Sequence, residues 1–262
     1  MGKVISFANQ KGGVGKTTVC YNLGAVLAGE MGKKILYIDV DGQGNLTLCC
    51  GYDPDQVRGV SDLLLGRDVK TKDFIIPSGI DGADLIPSNE QTYTAEIDLY
   101  RLSDRAFKLS DAIDQVKGDY DLVLLDLPPS VGALTVGGLV ASNGVILVYT
   151  TGEFSLDALN MVIATIQDVQ GNKRLNINNT QILGAVLNRH RITHKRVNRI
   201  MEQELSGVTV IPRFFTPISE TTEIENALFD HKPITHYNGR HKVSDQFRHL
   251  AGEVLQWLEK AS

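Results

Sequence analysis

Long apolar runs are missing from this sequence. No stretch of its 262 residues approaches the roughly 18 apolar residues needed to cross a bilayer. The opening MGKVISFANQ turns polar too soon for a secretory signal peptide, so a cytosolic protein is expected. Cysteine is scarce: Cys20, Cys49 and Cys50 form no CxxC pair, and an odd number with two adjacent builds no disulfide framework. Positive charge is in deficit, with a formal net charge of -5, which argues against a nucleic-acid partner unless basic residues gather locally. Internal repeats, low-complexity tracts and Pro/Gly/Ser linkers are also lacking, which excludes fibrous and disordered classes and leaves one domain over residues 1–262 as the expectation. His190, His194, His231, His236, His241 and His249 show no spacing that converges on a metal and are read as surface or packing residues.

The chain is 42% hydrophobic, enough for a well-buried core. Apolar, β-branched runs recur: KVISFA (Lys3 to Ala8), KILYID (Lys34 to Asp39), ADLIP, YDLVLLD (Tyr120 to Asp126), GVILVYT (Gly144 to Thr150), QILGAVLN (Gln181 to Asn188) and VTVIP. Helix-length segments lie between them: Thr17 to Glu30, Thr94 to Lys117, Ser155 to Gln170, His194 to Leu205 and Val243 to Lys260. Alternating strands and helices predict an α/β fold, a mostly parallel sheet with helices on both faces. Runs such as LVLL and VILV, apolar at every position, suit strands buried on both sides. In such sheets ligands bind at the carboxyl ends of the strands.

The stretch ANQKGGVGKTT (Ala8 to Thr18) follows the first of these strands and opens a helix. It nearly matches the phosphate-binding pattern of Gly, four free positions and Gly-Lys-Ser/Thr, but Gln10 stands where the first Gly belongs, and a second lysine, Lys11, follows it. Gly12, Gly13, Val14 and Gly15 let backbone N–H groups curl round an oxyanion at a helix N-terminus. Lys16 would reach the β- and γ-phosphates of a nucleotide, the Thr17 hydroxyl would bind Mg²⁺, and Thr18 completes the cradle. Two acidic strand ends supply the rest. In YIDVDGQGN, Asp39 and Asp41 are two apart, so an extended chain points both the same way. In LVLLDLPPS four apolar residues lead into Asp126, as in a Walker B strand whose carboxylate holds Mg²⁺ through water.

KGGVGKTT, IDVDGQGNLT and LLDLPPS, in that order, resemble the ParA/MinD family of deviant Walker A ATPases, and most of all its ParA/Soj partition branch. GAVLNR and VIPRFFTPISETTEIENALFDHKPI resemble that branch's later strands, so the likeness covers nearly the whole chain. The resemblance implies ATP and Mg²⁺ as ligands and a homodimer that sandwiches two ATP molecules. In that dimer Lys11 reaches into the partner's site, much like an arginine finger given in trans. It also implies that Asp41 orients the hydrolytic water, that Asp39 and Asp126 act around Mg²⁺ with Thr17, and that Asn188 and the Pro212 region contact adenine. One departure stands out: the branch usually has Pro after the second aspartate, and here it is Gly42. Glycine widens the accessible backbone conformations, so the placement of Asp41 is less fixed.

NRHRITHKRVNRIMEQEL holds Arg189, Arg191, Lys195, Arg196 and Arg199, five of the chain's 26 Lys and Arg within eleven residues. Val197, Ile200, Met201 and Leu205 have the spacing of a buried helical stripe, which leaves Lys195, Arg196 and Arg199 facing water. Arg213 and the Arg240, Lys242 pair add to the set. The resemblance implies that such residues hold DNA without sequence preference in the ATP dimer, that a ParB-like centromere-binding protein stimulates hydrolysis, and that the protein is cytoplasmic and nucleoid-associated. The first strand begins near residue 3, so no N-terminal helix-turn-helix and no sequence-specific repression are expected. The competing readings are a positioning ATPase for another cargo, a membrane-associated ATPase like MinD, and a redox protein like the nitrogenase iron protein. DQFRHLAGEVLQWLEKAS has few cations after its apolar stripe and reads as a helix packed on the sheet, with no membrane role. Adjacent Cys49 and Cys50 on one strand cannot both face inward to hold an iron–sulfur cluster.

Overall fold

The computed structural model describes residues 2–66, 68–151, 155–191 and 211–260. Strand β1 (Lys3–Ala8) leads into helix α1 (Lys16–Gly29), then β2 (Ile35–Asp39), α2 (Asn45–Cys49), α3 (Val60–Leu65), β3 (Ile76–Pro77), β4 (Ala83–Ile86), α4 (Gln91–Leu99) and α5 (Lys108–Asp114). The second half runs β5 (Leu122–Asp126), α6 (Ala133–Ala141), β6 (Gly144–Tyr149), α7 (Ser155–Gly171), β7 (Gln181–Leu187), α8 (Thr222–Phe229), α9 (Ile234–Tyr237) and α10 (Lys242–Lys260).

The strands form one seven-stranded sheet in the order β3-β4-β2-β5-β1-β6-β7. All neighbours pair in parallel except the two-residue edge strand β3, which is antiparallel to β4. Every residue of β2, β5 and β6 is buried, which is why those runs lack polar alternation. Successive strand residues point to opposite faces, and the two resulting cores sit on the two sides of the sheet. Val4, Leu36, Val123 and Leu147 pack with residues of α3, α5, α6 and α7, while Ile5, Tyr37, Leu124 and Ile146 pack with α1 and α10. Helix α1 runs through the second core with little polar face. It needs Gly24, because a Cβ there would lie 2.3 Å from the Tyr37 hydroxyl.

The register fixes the site. Asp39 and Phe7 both stand beside Asp126, so the ends of β2, β5 and β1 come level where their loops leave the sheet.

Several expectations are corrected. The helix expected from Thr94 to Lys117 is two, α4 and α5, separated at residues 100–107. Asp104 accepts the Phe107 N–H through its carbonyl and binds Lys108 at 3.1 Å through its carboxylate, a local turn that competes with helix continuation. Cys49 ends a helix rather than lying in a strand, so both it and Cys50 are buried; all three cysteines are free. Of VTVIP, residues 208–210 lie outside the described residues, and Ile211 to Phe214 run beside β7 through an Ala185–Arg213 bridge. The basic helix expected from His194 to Leu205, with Lys195, Arg196 and Arg199, also lies outside the described residues.

Candidate active site

Residues 9–15 join the end of β1 to the start of α1, and their shape is held from two neighbouring strands. Asn9, 2% exposed, donates from Nδ2 to the Val148 carbonyl of β6 at 2.7 Å, and its Oδ1 accepts the Lys11 N–H at 2.8 Å. Asn188, at the end of β7, donates from Nδ2 to the Val14 carbonyl at 2.8 Å. Gly13 and Gly15 have φ of 74° and 87°, the left-handed region that favours glycine. At Gly15 the approach is also close, since a Cβ would fall 2.2 Å from Asn188 Nδ2. The loop therefore presents backbone to the N-terminus of a 14-residue helix, where free N–H groups and the helix dipole favour an anion.

Three side chains meet beneath it. Lys16 is 7% exposed; burial draws its ammonium pKa down, and Asp126 and Asp41 draw it back up. Thr17 donates its hydroxyl to Asp126 Oδ2 at 2.5 Å. The other Asp126 oxygen, Oδ1, is buried with no hydrogen-bond partner. Burial, then charge repulsion, raises the carboxyl pKa of both Asp39 and Asp126. A buried carboxylate with an open oxygen beside a threonine hydroxyl fits an Mg²⁺ held partly by water and phosphate. Among the described residues no group of three or more His, Cys, Asp or Glu could cage a metal, which suits that sparse coordination.

Asp39, expected with the metal, is engaged elsewhere. Its Oδ2 accepts the Thr47 N–H at 2.9 Å and the Thr47 hydroxyl at 2.8 Å, and its Oδ1 accepts the Asp41 N–H at 3.2 Å. Fully buried beside Asp126, it holds the turn that follows β2. Asp41, two residues on, lines the cleft.

That cleft has a volume of about 570 Å³, within the range of small-molecule sites. Gly12 to Thr18 without Val14 make its floor, and Asp41 and Gln43 make one side. Leu228, Phe229 and Glu225 of α8 and the neighbouring His231 make the opposite wall, which sequence reasoning missed. His231 Nδ1 lies 2.7 Å from the Leu48 carbonyl and joins that wall to α2. Lys11 is half-buried and does not line the cleft of its own chain. Pro212 does not line it either, its carbonyl accepting the Ala185 N–H at 2.9 Å.

Among the described residues the basic set is carried by several elements. Arg189, in a left-handed conformation with φ 52°, lines the cleft. Arg191 is ion-paired with Glu220, which raises its pKa. Arg213, Arg240 and Lys242 are exposed. Arg213 bridges to Ala185 of β7, and Lys242 begins α10.

Residues 2–180 match the AAA_31 family model, an AAA domain. The sporulation initiation inhibitor protein Soj of Bacillus subtilis (strain 168) is 34% identical over 256 residues, covering 97% of this chain and 98% of its own. The chromosome partitioning protein ParA of Caulobacter vibrioides (strain NA1000 / CB15N) is 33% identical over 268 residues, with 97% and 94% covered. Among solved structures, the cobyrinic acid a,c-diamide synthase of Mycobacterium smegmatis with bound ADP and magnesium superposes with a TM-score of 0.85 at 29% identity, over 100% of this chain and 97% of that one. On likenesses that run almost from end to end, and with the glycine loop, Lys16, Thr17 and Asp126 set together at the head of α1, the chain belongs to the ParA/Soj family of P-loop ATPases.

Proposed function

We propose that this protein is an Mg²⁺-dependent partition ATPase whose ATP-bound dimer holds DNA without sequence preference and releases it on hydrolysis. The observation that carries the reading is the meeting of Lys16, Thr17 and Asp41, which line a cleft of nucleotide size, with the buried Asp126 at the N-terminus of α1. Thr17 and Asp126 would hold Mg²⁺, which when bound neutralises phosphate charge. Lys16 and the Gly12 to Thr18 backbone bind and orient the phosphates. Asp41, at the edge of the same space, orients the attacking water. Leu228 and Phe229 offer an apolar wall for the base, with Asn188 bracing the loop from below.

Lys11 acts on the second copy's nucleotide. Its backbone is fixed by Asn9 and it stands outside the lining of its own cleft, which supports a role in trans. DNA is held by Lys195, Arg196, Arg199, Arg213, Arg240 and Lys242 from two protomers, with hydrolysis stimulated by a ParB-like partner in the nucleoid-associated cytoplasm. A chromosome partitioning relative at 33% identity supports that role. Phe247, Leu250 and Val254, the apolar stripe of α10, are fully buried in the core, which favours DNA over a membrane surface.

The test is retention of the protein on non-specific duplex DNA with ATP, with ADP and without nucleotide. Retention with ATP alone is expected, and equal retention in all three states overturns the proposal.

A further inference from the structure

The turn that carries Asp41 is gripped from outside by α4. Within the turn, the Gly44 N–H donates to the Asp41 carbonyl at 2.9 Å and the Gln43 N–H to Asp41 Oδ1 at 3.1 Å. Between them Gly42 is buried, and it is absent from the glycines of left-handed φ, so its backbone does not demand glycine. Its surroundings do. A Cβ at position 42 would fall 2.9 Å from Cδ2 and Cε2 of Tyr93 and 3.0 Å from Cγ, against the flat of the ring. The same tyrosine's hydroxyl takes a hydrogen bond from Nε2 of Gln43. One side chain thus touches both residues that follow Asp41, fifty positions away in the chain.

Helix α4 is itself fixed. Thr92 shares a 2.9 Å hydrogen bond with Ser88, and the Ser88 N–H donates at 2.9 Å to the Thr47 hydroxyl, which in turn donates to Asp39. Three residues beyond Tyr93, on the same helical face, Glu96 reaches the loop after β5. At Gly132, in that loop, a Cβ would strike its Oε1, and the same oxygen accepts the Leu134 N–H of α6 at 3.4 Å. The two loops that leave the ends of β2 and β5 are each notched with glycine for a side chain of α4.

We propose that Tyr93 is a positioning residue for hydrolysis: its ring and hydroxyl fix the 41–44 turn, and so the direction of the Asp41 carboxylate, with Gly42 as its matched partner. This accounts for a residue without Cβ at position 42, and it rests on the reading of Asp41 as the residue that orients water.

The test is steady-state ATP hydrolysis by the full chain with Mg²⁺, reading kcat and KM separately, for Tyr93→Phe, Tyr93→Ala, Gly42→Ala, the Gly42→Ala/Tyr93→Ala double variant and Asp41→Asn. Tyr93 is 46% exposed, so its truncation leaves the fold intact. A misplacement of about 1 Å can cost on the order of 10²-fold in rate, so Tyr93→Ala should lower kcat by up to about that much with KM little changed, and Tyr93→Phe less. Gly42→Ala alone should also lower kcat, but in the double variant the clash has gone, so the losses should not multiply. Losses that do multiply, an unchanged kcat in Tyr93→Ala, or a change confined to KM would each overturn the proposal. An unchanged kcat in Asp41→Asn would instead sink the Asp41 reading beneath it, whereas a dead Asp41→Asn with multiplying losses sinks Tyr93 alone.

Discussion

Lys11 and Asp126 carry opposite kinds of consequence. Lys11 stands outside its own cleft, so Lys11→Ala should leave ATP affinity nearly unchanged while turnover falls by about 10³-fold or more, the scale of charge supplied in trans. A nucleotide titration beside a phosphate-release assay reads both, and normal turnover in that variant rules the role out. Asp126 is built for function at a cost to the empty fold. It is 1% exposed, faces Asp39 across the ladder and has one oxygen without a partner. Burial, with a smaller contribution from Asp41, disfavours its charge more than the Thr17 hydroxyl and Lys16 favour it, so Asp126→Asn, which keeps an acceptor for the Thr17 hydroxyl, should raise the nucleotide-free stability by on the order of 1 kcal/mol. The same variant should lose Mg²⁺-dependent turnover. Denaturant melts without nucleotide decide the first part, and a less stable variant would show that the buried charge is better compensated than its contacts indicate.

At the scale of elements, what was legible in the chain was whatever is repeated locally. β2, β5 and β6 announce themselves because burial on both faces leaves no polar position, and the glycine loop because its chemistry lies in consecutive residues. Helix α6, ALTVGGLVA, went unread because it is buried nearly all round and shows no amphipathic period. The break between α4 and α5 depends on a turn at Asp104 that periodicity does not see. In the site, Asn9, Tyr93, Glu96 and the α8 wall were invisible for a related reason: each matters through a partner 38 or more positions away, or through a side chain that fits a distant glycine. At Gly42 the space that glycine leaves for a distant ring is likewise not legible in the chain. The last helix offers a test at this scale. Arg248 of α10 binds Glu30 at the end of α1 through two nitrogens, at 2.7 and 2.9 Å, and also binds the Gly239 carbonyl and Asp245. A two-pronged but partly exposed contact is worth about 1 kcal/mol, so Arg248→Ala should lower Tm by about 2–4 °C in a chain of this size. An unchanged Tm would mean that the apolar stripe beneath it carries the docking of α10 alone.

For the molecule as a whole, the difficulty is that the proposed function asks a chain of net charge -5 to hold a polyanion. A single protomer carries its described cations on several elements: Arg189 lines the cleft, Arg191 is ion-paired with Glu220, Arg213 lies beside β7 and Lys242 begins α10. Weak sites of this kind become effective when two copies present them together, because the second contact then forms at high local concentration. A DNA grip that waits for dimerisation follows, and ATP is what the proposed dimer closes around. The salt dependence is the measure. Each phosphate contact contributes roughly -0.9 to the slope of log K against log salt concentration, so Arg240→Glu with Lys242→Glu should flatten that slope by about 1.8 per protomer if both contact DNA. Arg196→Glu with Arg199→Glu should abolish ATP-dependent retention, while Arg191→Ala should change it little because that charge is already neutralised by Glu220. A slope that stays the same in the first pair, together with retention that survives the second, would place the DNA on another surface and leave the nucleotide cleft without its proposed output.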